Sequence, residues 1–309
     1  MDQLIKRIQE LENPTVVGLD PAESMMPEAL RFEMFARHGK TPKAIAEMYI
    51  FFNKAIIDCI FDLVPAVKPQ IAMYEKYGLE GLRAYMETVS YAKEKGLLVI
   101  GDIKRGDIAS TAEAYAAHIG GTEIGGETCD LWKEDFVTLS PYLGSDSMEP
   151  FLRVCKNADR GIFVLAKTSN AGSGELQDRL LEGEPLYARV ADLIEKWGEE
   201  TIGEFGYSRV GAVVGATHRE QGEALRHRCP HTFFLVPGYG AQGGTGRDLA
   251  AYFDKHGIGI IVNSSRGITG AWKNDSEYAP GTAFDFAFAE SARKAVLTMR
   301  EDLRLAMEG

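Results

Sequence analysis

Eight short apolar runs, each separated from the next by a longer stretch of mixed character, constrain this chain more than any single motif. They fall at 15–20 (TVVGLD), 63–68 (LVPAVK), 97–102 (LLVIGD), 135–140 (DFVTLS), 161–166 (GIFVLA), 209–214 (RVGAVV), 232–236 (TFFLV) and 258–263 (IGIIVN). Runs of this length and β-branched content read as strands buried on both faces, and their alternation with helical segments is the pattern of parallel βα units. Helical spacing covers 42–60, 79–95, 147–157, 184–199, 218–227, 247–255 and 283–306. The first of these opens with Thr41 as cap and Pro42 in the first turn, where a missing amide hydrogen is harmless. Eight strands, each followed by a helix, predict an α/β fold of the closed TIM (β/α)8 type rather than an open doubly wound sheet.

Three stretches exceed ordinary connections: 21–40, 119–134 and 169–182. Each follows a strand or its helix, so each is expected to extend the end of the barrel where active sites sit. No linker, repeat or low-complexity run divides the chain, and residues 1–309 read as one domain.

The formal net charge of −11 removes the broad positive field that drives non-specific nucleic-acid binding, so no nucleic-acid partner is expected. An anionic substrate would need local positive groups. The first residues, MDQLIKRIQELENP, mix charged and apolar side chains at helical spacing, unlike a secretory signal. No stretch approaches the roughly 18 apolar residues of a membrane span, so a cytoplasmic protein without a membrane partner is expected. Cys59, Cys129, Cys155 and Cys229 are scattered without a Cys-x-x-Cys pair and read as reduced thiols. The run His227-Arg228-Cys229-Pro230-His231 contains zinc-type ligands, but Pro230 bends the chain and no second ligand pair accompanies it. No metal site is expected there.

In a parallel barrel, side chains at the C-terminal ends of strands face the catalytic mouth. Asp20, Lys68 and Asp102 end the first three predicted strands, and alternation along a strand places Asp102 and Lys104 on the same side. Asp107 falls in the turn beyond. A lone Asp-x-Lys is most simply a structural salt bridge, yet Lys68 from the neighbouring strand adds a second ammonium. Two lysines depress each other's pKa, and interleaved carboxylates keep both protonated. Such an array suits chemistry through a charged intermediate.

After the seventh strand comes Pro237-Gly238-Tyr239-Gly240-Ala241-Gln242-Gly243-Gly244-Thr245-Gly246, whose glycines let backbone amides approach an anion. It contains a literal Gly-x-Gly-x-x-Gly, but the acid a dinucleotide site needs at the end of the next strand is replaced by IGIIVN. After the eighth strand comes Asn263-Ser264-Ser265-Arg266-Gly267. Barrel phosphate sites are frequently built from these two loops, and Arg266 offers a planar fork to phosphate oxygens.

Taken in order, Gly18-Leu19-Asp20-Pro21, Val67-Lys68-Pro69-Gln70, the DIKRGDIAST segment from Asp102 to Thr111, Lys167-Thr168-Ser169-Asn170-Ala171-Gly172, the Pro237–Gly244 loop and Ser265-Arg266 resemble the orotidine 5′-phosphate decarboxylase family. The chain looks like the branch with longer, bacterial-type sequences, and its extra loops, Ala171 and Tyr239 depart from compact members. The resemblance implies cofactor-free and metal-free conversion of orotidine 5′-phosphate (OMP) to uridine 5′-phosphate (UMP) and CO2 in de novo pyrimidine biosynthesis. It implies a catalytic network of Lys68, Asp102, Lys104 and Asp107, with Lys104 protonating C6 of the ring. Asp20 and Lys68 would bind ribose hydroxyls, Ser169 the pyrimidine, Gln242 both base and phosphate, and Arg266 the phosphate, with Gly243 and Ser265 also binding substrate. Asp107, with Ile108 and Thr111, would reach the partner's site in a homodimer. Metal-dependent sugar-phosphate lyases share Asp-x-Lys-x-x-Asp on the same barrel, but they need a strand-2 carboxylate where this chain has Lys68. A non-catalytic phosphate-ligand sensor is the other alternative, although all four network charges are present.

Overall fold

A computed structural model describes residues 1–240 and 243–308. Eight parallel strands close into a barrel: β1 (Thr15–Leu19), β2 (Ala66–Pro69), β3 (Leu98–Arg105), β4 (Phe136–Leu139), β5 (Gly161–Lys167), β6 (Val210–Val214), β7 (Phe234–Pro237) and β8 (Ile260–Ser264). Their order around the barrel follows the chain, and β1 closes the ring against β8 with Val16 opposite Asn263. The longer helices are α1 (Asp2–Leu11), α2 (Glu28–His38), α3 (Pro42–Ile60), α4 (Gly78–Glu94), α5 (Ala109–Gly120), α6 (Ser145–Asn157), α7 (Leu186–Gly198), α8 (Arg219–Arg228) and α9 (Ala287–Glu308). Thr41 caps α3 as expected, its hydroxyl accepting from the Ala44 amide at 3.3 Å. Among the described residues no helix is long and apolar enough to cross a membrane.

The two-residue period of the strands sorts their side chains into two cores. Val17, Val67, Val99, Val137, Val164, Val236 and Val262 face outward into the helical layer. Val16, Ala66, Leu98, Ile100, Phe136, Phe163, Leu235 and Ile261 face inward, where Leu4, Ile5 and Ile8 of α1 close the lower end. The inward face fills the barrel below and, two residues further along each strand, supplies the mouth above.

Several expectations need correction. The second strand begins at Ala66 rather than residue 63, because the amides of Leu63 and Val64 both bond back to Ile60 O and finish α3. The stretch 247–255 is broken into a helical turn, Gly246–Leu249, and a 3-10 turn, Ala250–Tyr252. The stretch 21–40 contains α2, whose inner stripe is only Leu30 and Met34. The segment 109–120 forms α5, a helix the apolar periodicity did not reveal because its packing face is largely Ala112 and Ala116.

The stretch 119–134 lies at the opposite end of the barrel from the mouth. α5 carries the chain back down, and the following hairpin (Thr122–Ile124 with Glu127–Cys129) leads to Asp135, which binds the Val99 amide at the start of β3. The stretch 169–182 does follow a strand end, with a 3-10 turn at Ala171–Glu175 and a short pairing of Leu180–Leu181 with Glu184–Pro185.

Candidate active site

The inward alternation that buries Ala66 and Ile100 brings Lys68 and Asp102 to the top of the barrel, both almost fully buried. Lys68 Nζ lies 2.5 Å from Asp102 Oδ2. The other oxygen, Oδ1, accepts from Thr138 Oγ1 at 2.8 Å and contacts Lys104 Nζ. Burial alone would pull the Lys68 ammonium down, but Asp102 and Asp20 more than offset it and hold Lys68 above its usual range. Burial likewise penalises the Asp102 carboxylate, and Lys68 and Lys104 reverse this, holding it well below the ordinary range. The pair is ionised and locked.

Lys104 reaches Asp102 by a route that simple alternation does not describe. The pairing of β3 with β4 is irregular between Gly101 and Arg105, and Lys104 has φ 45°. A left-handed backbone at a non-glycine residue costs on the order of 1–3 kcal/mol and persists only where its surroundings hold it. Here the Lys104 amide donates to Thr138 Oγ1 at 3.0 Å while its ammonium is held by Asp102. With 45% of its side chain exposed, Lys104 is the open member of the array.

On the far side of the mouth Asn263 Nδ2 donates to Ser265 Oγ at 3.3 Å, but other polar atoms lack partners among the described residues. Asp20, Lys68 and Asp102 share a cavity of about 410 Å³ with Tyr239, Asn263, Ser265 and Arg266. Oδ1 of Asp20 and Oδ1 of Asn263 are buried there without a hydrogen bond among the described residues. Buried acceptors are seldom left unsatisfied, and two lining one cavity mark a place for a ligand's donors. The Arg266 side chain is exposed at the rim and makes no hydrogen bond or ion pair among the described residues. Gly18 permits this close assembly of β1 and β8, since a Cβ there would lie 1.9 Å from Ser265 Oγ.

The remaining expected site residues are placed less centrally. Asp107 sits past the end of β3, its carboxylate accepting from the Ile108 amide at 2.8 Å, and it forms no ion pair among the described residues. Thr111 lies in the first turn of α5, and Ile108 before it is 60% exposed. Ser169 follows β5 and packs against Gly215, where a Cβ would come within 2.9 Å of it. Gly243 is exposed with φ 93°, and its amide donates to Gly240 O at 2.8 Å. Gln242 lies outside the described residues.

Thr138 and Asn263 belong to the assembly but were not singled out from the sequence. The same parity would have found Thr138, two residues beyond the inward Phe136. At the other end of the chain's candidate ligands, Cys229 is buried and His231 Nδ1 contacts Gly206 O at 2.7 Å. Among the described residues no group of three or more His, Cys, Asp or Glu gathers as a metal site would require.

The sequence profile of the orotidine 5′-phosphate decarboxylase / HUMPS family matches residues 16–279, spanning the whole barrel. This chain belongs to that family. It is 43% identical over 307 residues to the orotidine 5′-phosphate decarboxylase of Petrotoga mobilis, with 98% of each chain covered. The orotidine 5′-phosphate decarboxylase of Rhodopirellula baltica is likewise 43% identical over 303 residues, again with 98% of each chain covered. Among solved structures, the OMP decarboxylase of Leishmania donovani superposes with a TM-score of 0.74 at 30% identity, covering 100% of this chain and 98% of its own. The family match thus places the Lys68, Asp102 and Lys104 array in a barrel whose relatives carry a decarboxylase name.

Proposed function

We infer that this chain decarboxylates OMP to UMP and CO2. The observation that carries this reading is the Lys68-Asp102-Lys104 array, with its first two members buried, facing across one cavity Ser265 and an Arg266 guanidinium that has no partner among the described residues. The C6–carboxylate bond breaks, its electron pair stays on C6, and Lys104 donates a proton there before regaining one from solvent. A preorganised ammonium beside a developing carbanion supplies electrostatic stabilisation without reorganisation, and each 1.4 kcal/mol or so is about tenfold in rate. Asp102 holds Lys104 in position. No step draws on a metal or organic cofactor, because Lys104 itself supplies the positive charge.

In this scheme Asp20 and Lys68 take the ribose hydroxyls, Ser169 the pyrimidine, and Gln242 base and phosphate together. Gly243, Ser265 and Arg266 hold the phosphate, whose binding energy orients the ring remote from it. The functional unit is a cytoplasmic homodimer of one-domain chains, with Asp107, Ile108 and Thr111 completing the partner's site. In support, Ile108 after β3 and Tyr142 and Leu143 after β4 are exposed apolar side chains on abutting loops.

The test follows OMP absorbance in excess EDTA for the wild type and Lys104→Ala. Turnover that survives EDTA and is lost in Lys104→Ala is expected. An inactive wild type would overturn the reading, and turnover abolished by EDTA would redirect it to metal-dependent chemistry. For the shared site, inactive Lys104→Ala and Asp107→Ala homodimers are mixed and allowed to exchange. One intact site per heterodimer should restore about a quarter of wild-type activity, whereas no recovery would contradict the shared site.

A further inference from the structure

The loop between β7 and the helical turn at Gly246 is tied down from an unexpected direction. Its own shape comes from backbone bonds: the Gly240 amide to Gly244 O at 2.8 Å, Gly243 to Gly240 O at 2.8 Å, and Gly244 to Gly238 O at 3.3 Å. Gly238, Gly240 and Gly243 all have positive φ, at 106°, 70° and 93°. Among the described residues, the hydrogen-bonded attachment of the loop's two ends to the closing helix comes from a side chain.

One carboxylate oxygen supplies it. Asp302 Oδ2, on α9, accepts from the Tyr239 hydroxyl at 2.7 Å and from the Gly246 amide at 2.8 Å. These two donors stand at the entrance and the exit of the loop. The exit is further fixed by Asp248, whose carboxylate accepts from both the amide and hydroxyl of Thr245. Gly246 has no room for a side chain, since a Cβ would lie 2.6 Å from Asp302 O and 2.7 Å from Oδ2. Tyr239 itself lines the cavity beside Ser265 and Arg266.

We propose that Asp302 is a positioning residue for the phosphate end of the site, holding the β7 loop at both ends through Tyr239 and Gly246. It touches no substrate. Its effect passes through the placement of Tyr239 and of the two loop ends beside Ser265 and Arg266. The inference rests on the decarboxylase reading for the identity of the ligand, and it extends that reading to a residue on the closing helix. Burial, and then Asp302, raise the Tyr239 phenol above its usual range, so it remains a neutral donor at working pH.

The experiment measures kcat and KM for OMP and the inhibition constant of UMP in the wild type, Asp302→Ala, Asp302→Asn and Tyr239→Phe. Thermal melts monitor folding of each. Hydrogen bonds to a charged group contribute about 1.5–3 kcal/mol, so KM and the UMP constant should rise together about tenfold or more in Asp302→Ala. Asp302→Asn keeps an acceptor and should rise less; Tyr239→Phe removes one bond only and should rise about threefold. In all three, kcat should stay within about threefold of wild type, since the array around Asp102 is untouched. A fall in kcat with unchanged KM, or unchanged constants in a folded Asp302→Ala, would overturn the proposal. Should Asp302→Ala fail to fold, Tyr239→Phe decides alone, because it leaves the ring packing in place. A wild type without OMP turnover would overturn the decarboxylase reading instead, so the two failures are distinguishable.

Discussion

The two sides of the barrel mouth are prepared in opposite ways. On β2, β3 and β4, Lys68, Asp102, Lys104 and Thr138 bind one another, and both ammoniums are held by one carboxylate before anything else arrives. On β1 and β8, Asp20 and Asn263 present unsatisfied buried oxygens and Arg266 stands without a partner among the described residues. A group that must act on a developing charge gains from being fixed beforehand, since reorganisation then adds nothing to the barrier. A group that must capture an anion is most effective while unpaired, since an internal partner would compete with the ligand. Under the proposed function, the first side carries the chemistry through Lys104 and the second side anchors the phosphate through Arg266.

The largest expected effect is on the reacting side. Lys104→Ala should lower kcat by about 10³-fold or more with KM changed only a few-fold, as loss of both a general acid and a positioned charge demands. Steady-state OMP kinetics check this. On the anchoring side, Arg266→Ala should raise KM by about 10²-fold while kcat at saturation falls less than about tenfold. If both variants fell in kcat alike, the division between sides would be broken.

The next effect concerns stability. Lys68→Met removes one partner of a buried pair and should destabilise by about 3 kcal/mol near neutral pH, measured by denaturant unfolding. The sign with pH follows from the shifts. The folded Asp102 carboxyl is held below its ordinary value, so its contribution is complete above about pH 4 to 5 and is lost as pH falls through the folded value. The folded Lys68 ammonium is held above its ordinary value, so its contribution is complete below about pH 10 and is lost as pH rises through the folded value. The difference between wild type and Lys68→Met should therefore be flat across neutral pH and shrink at both extremes. Smallest is Thr138→Val, which deletes a hydroxyl that binds both Asp102 and the Lys104 amide. It should lower kcat about three- to tenfold with KM unchanged.

How much of this was legible in the sequence depended on the range of the interaction. Strand parity is local, so the inward positions of Lys68 and Asp102 followed from runs such as LVPAVK and LLVIGD. The set of motifs then identified the family. Lys104 was placed beside Asp102 by alternation, but its left-handed backbone depends on the Thr138 hydroxyl from the next strand, a contact no local pattern contains. α5 escaped because alanines contribute little to an apolar periodicity, and with it went the position of 119–134, since only a returning helix reveals which end a loop occupies. The Asp302 tie links residues far apart in sequence and had no local signal.

The central claim is that Lys104 gives its proton to a carbanion at C6, and that step can be observed in reverse. UMP at saturating concentration is incubated with enzyme in D2O while NMR follows the C6 proton. Microscopic reversibility requires the wild type to exchange that proton for deuterium. Lys104→Ala should not exchange it, and Arg266→Ala should do so once enough UMP is supplied. Exchange that persisted in Lys104→Ala, or none in an active wild type, would contradict the account.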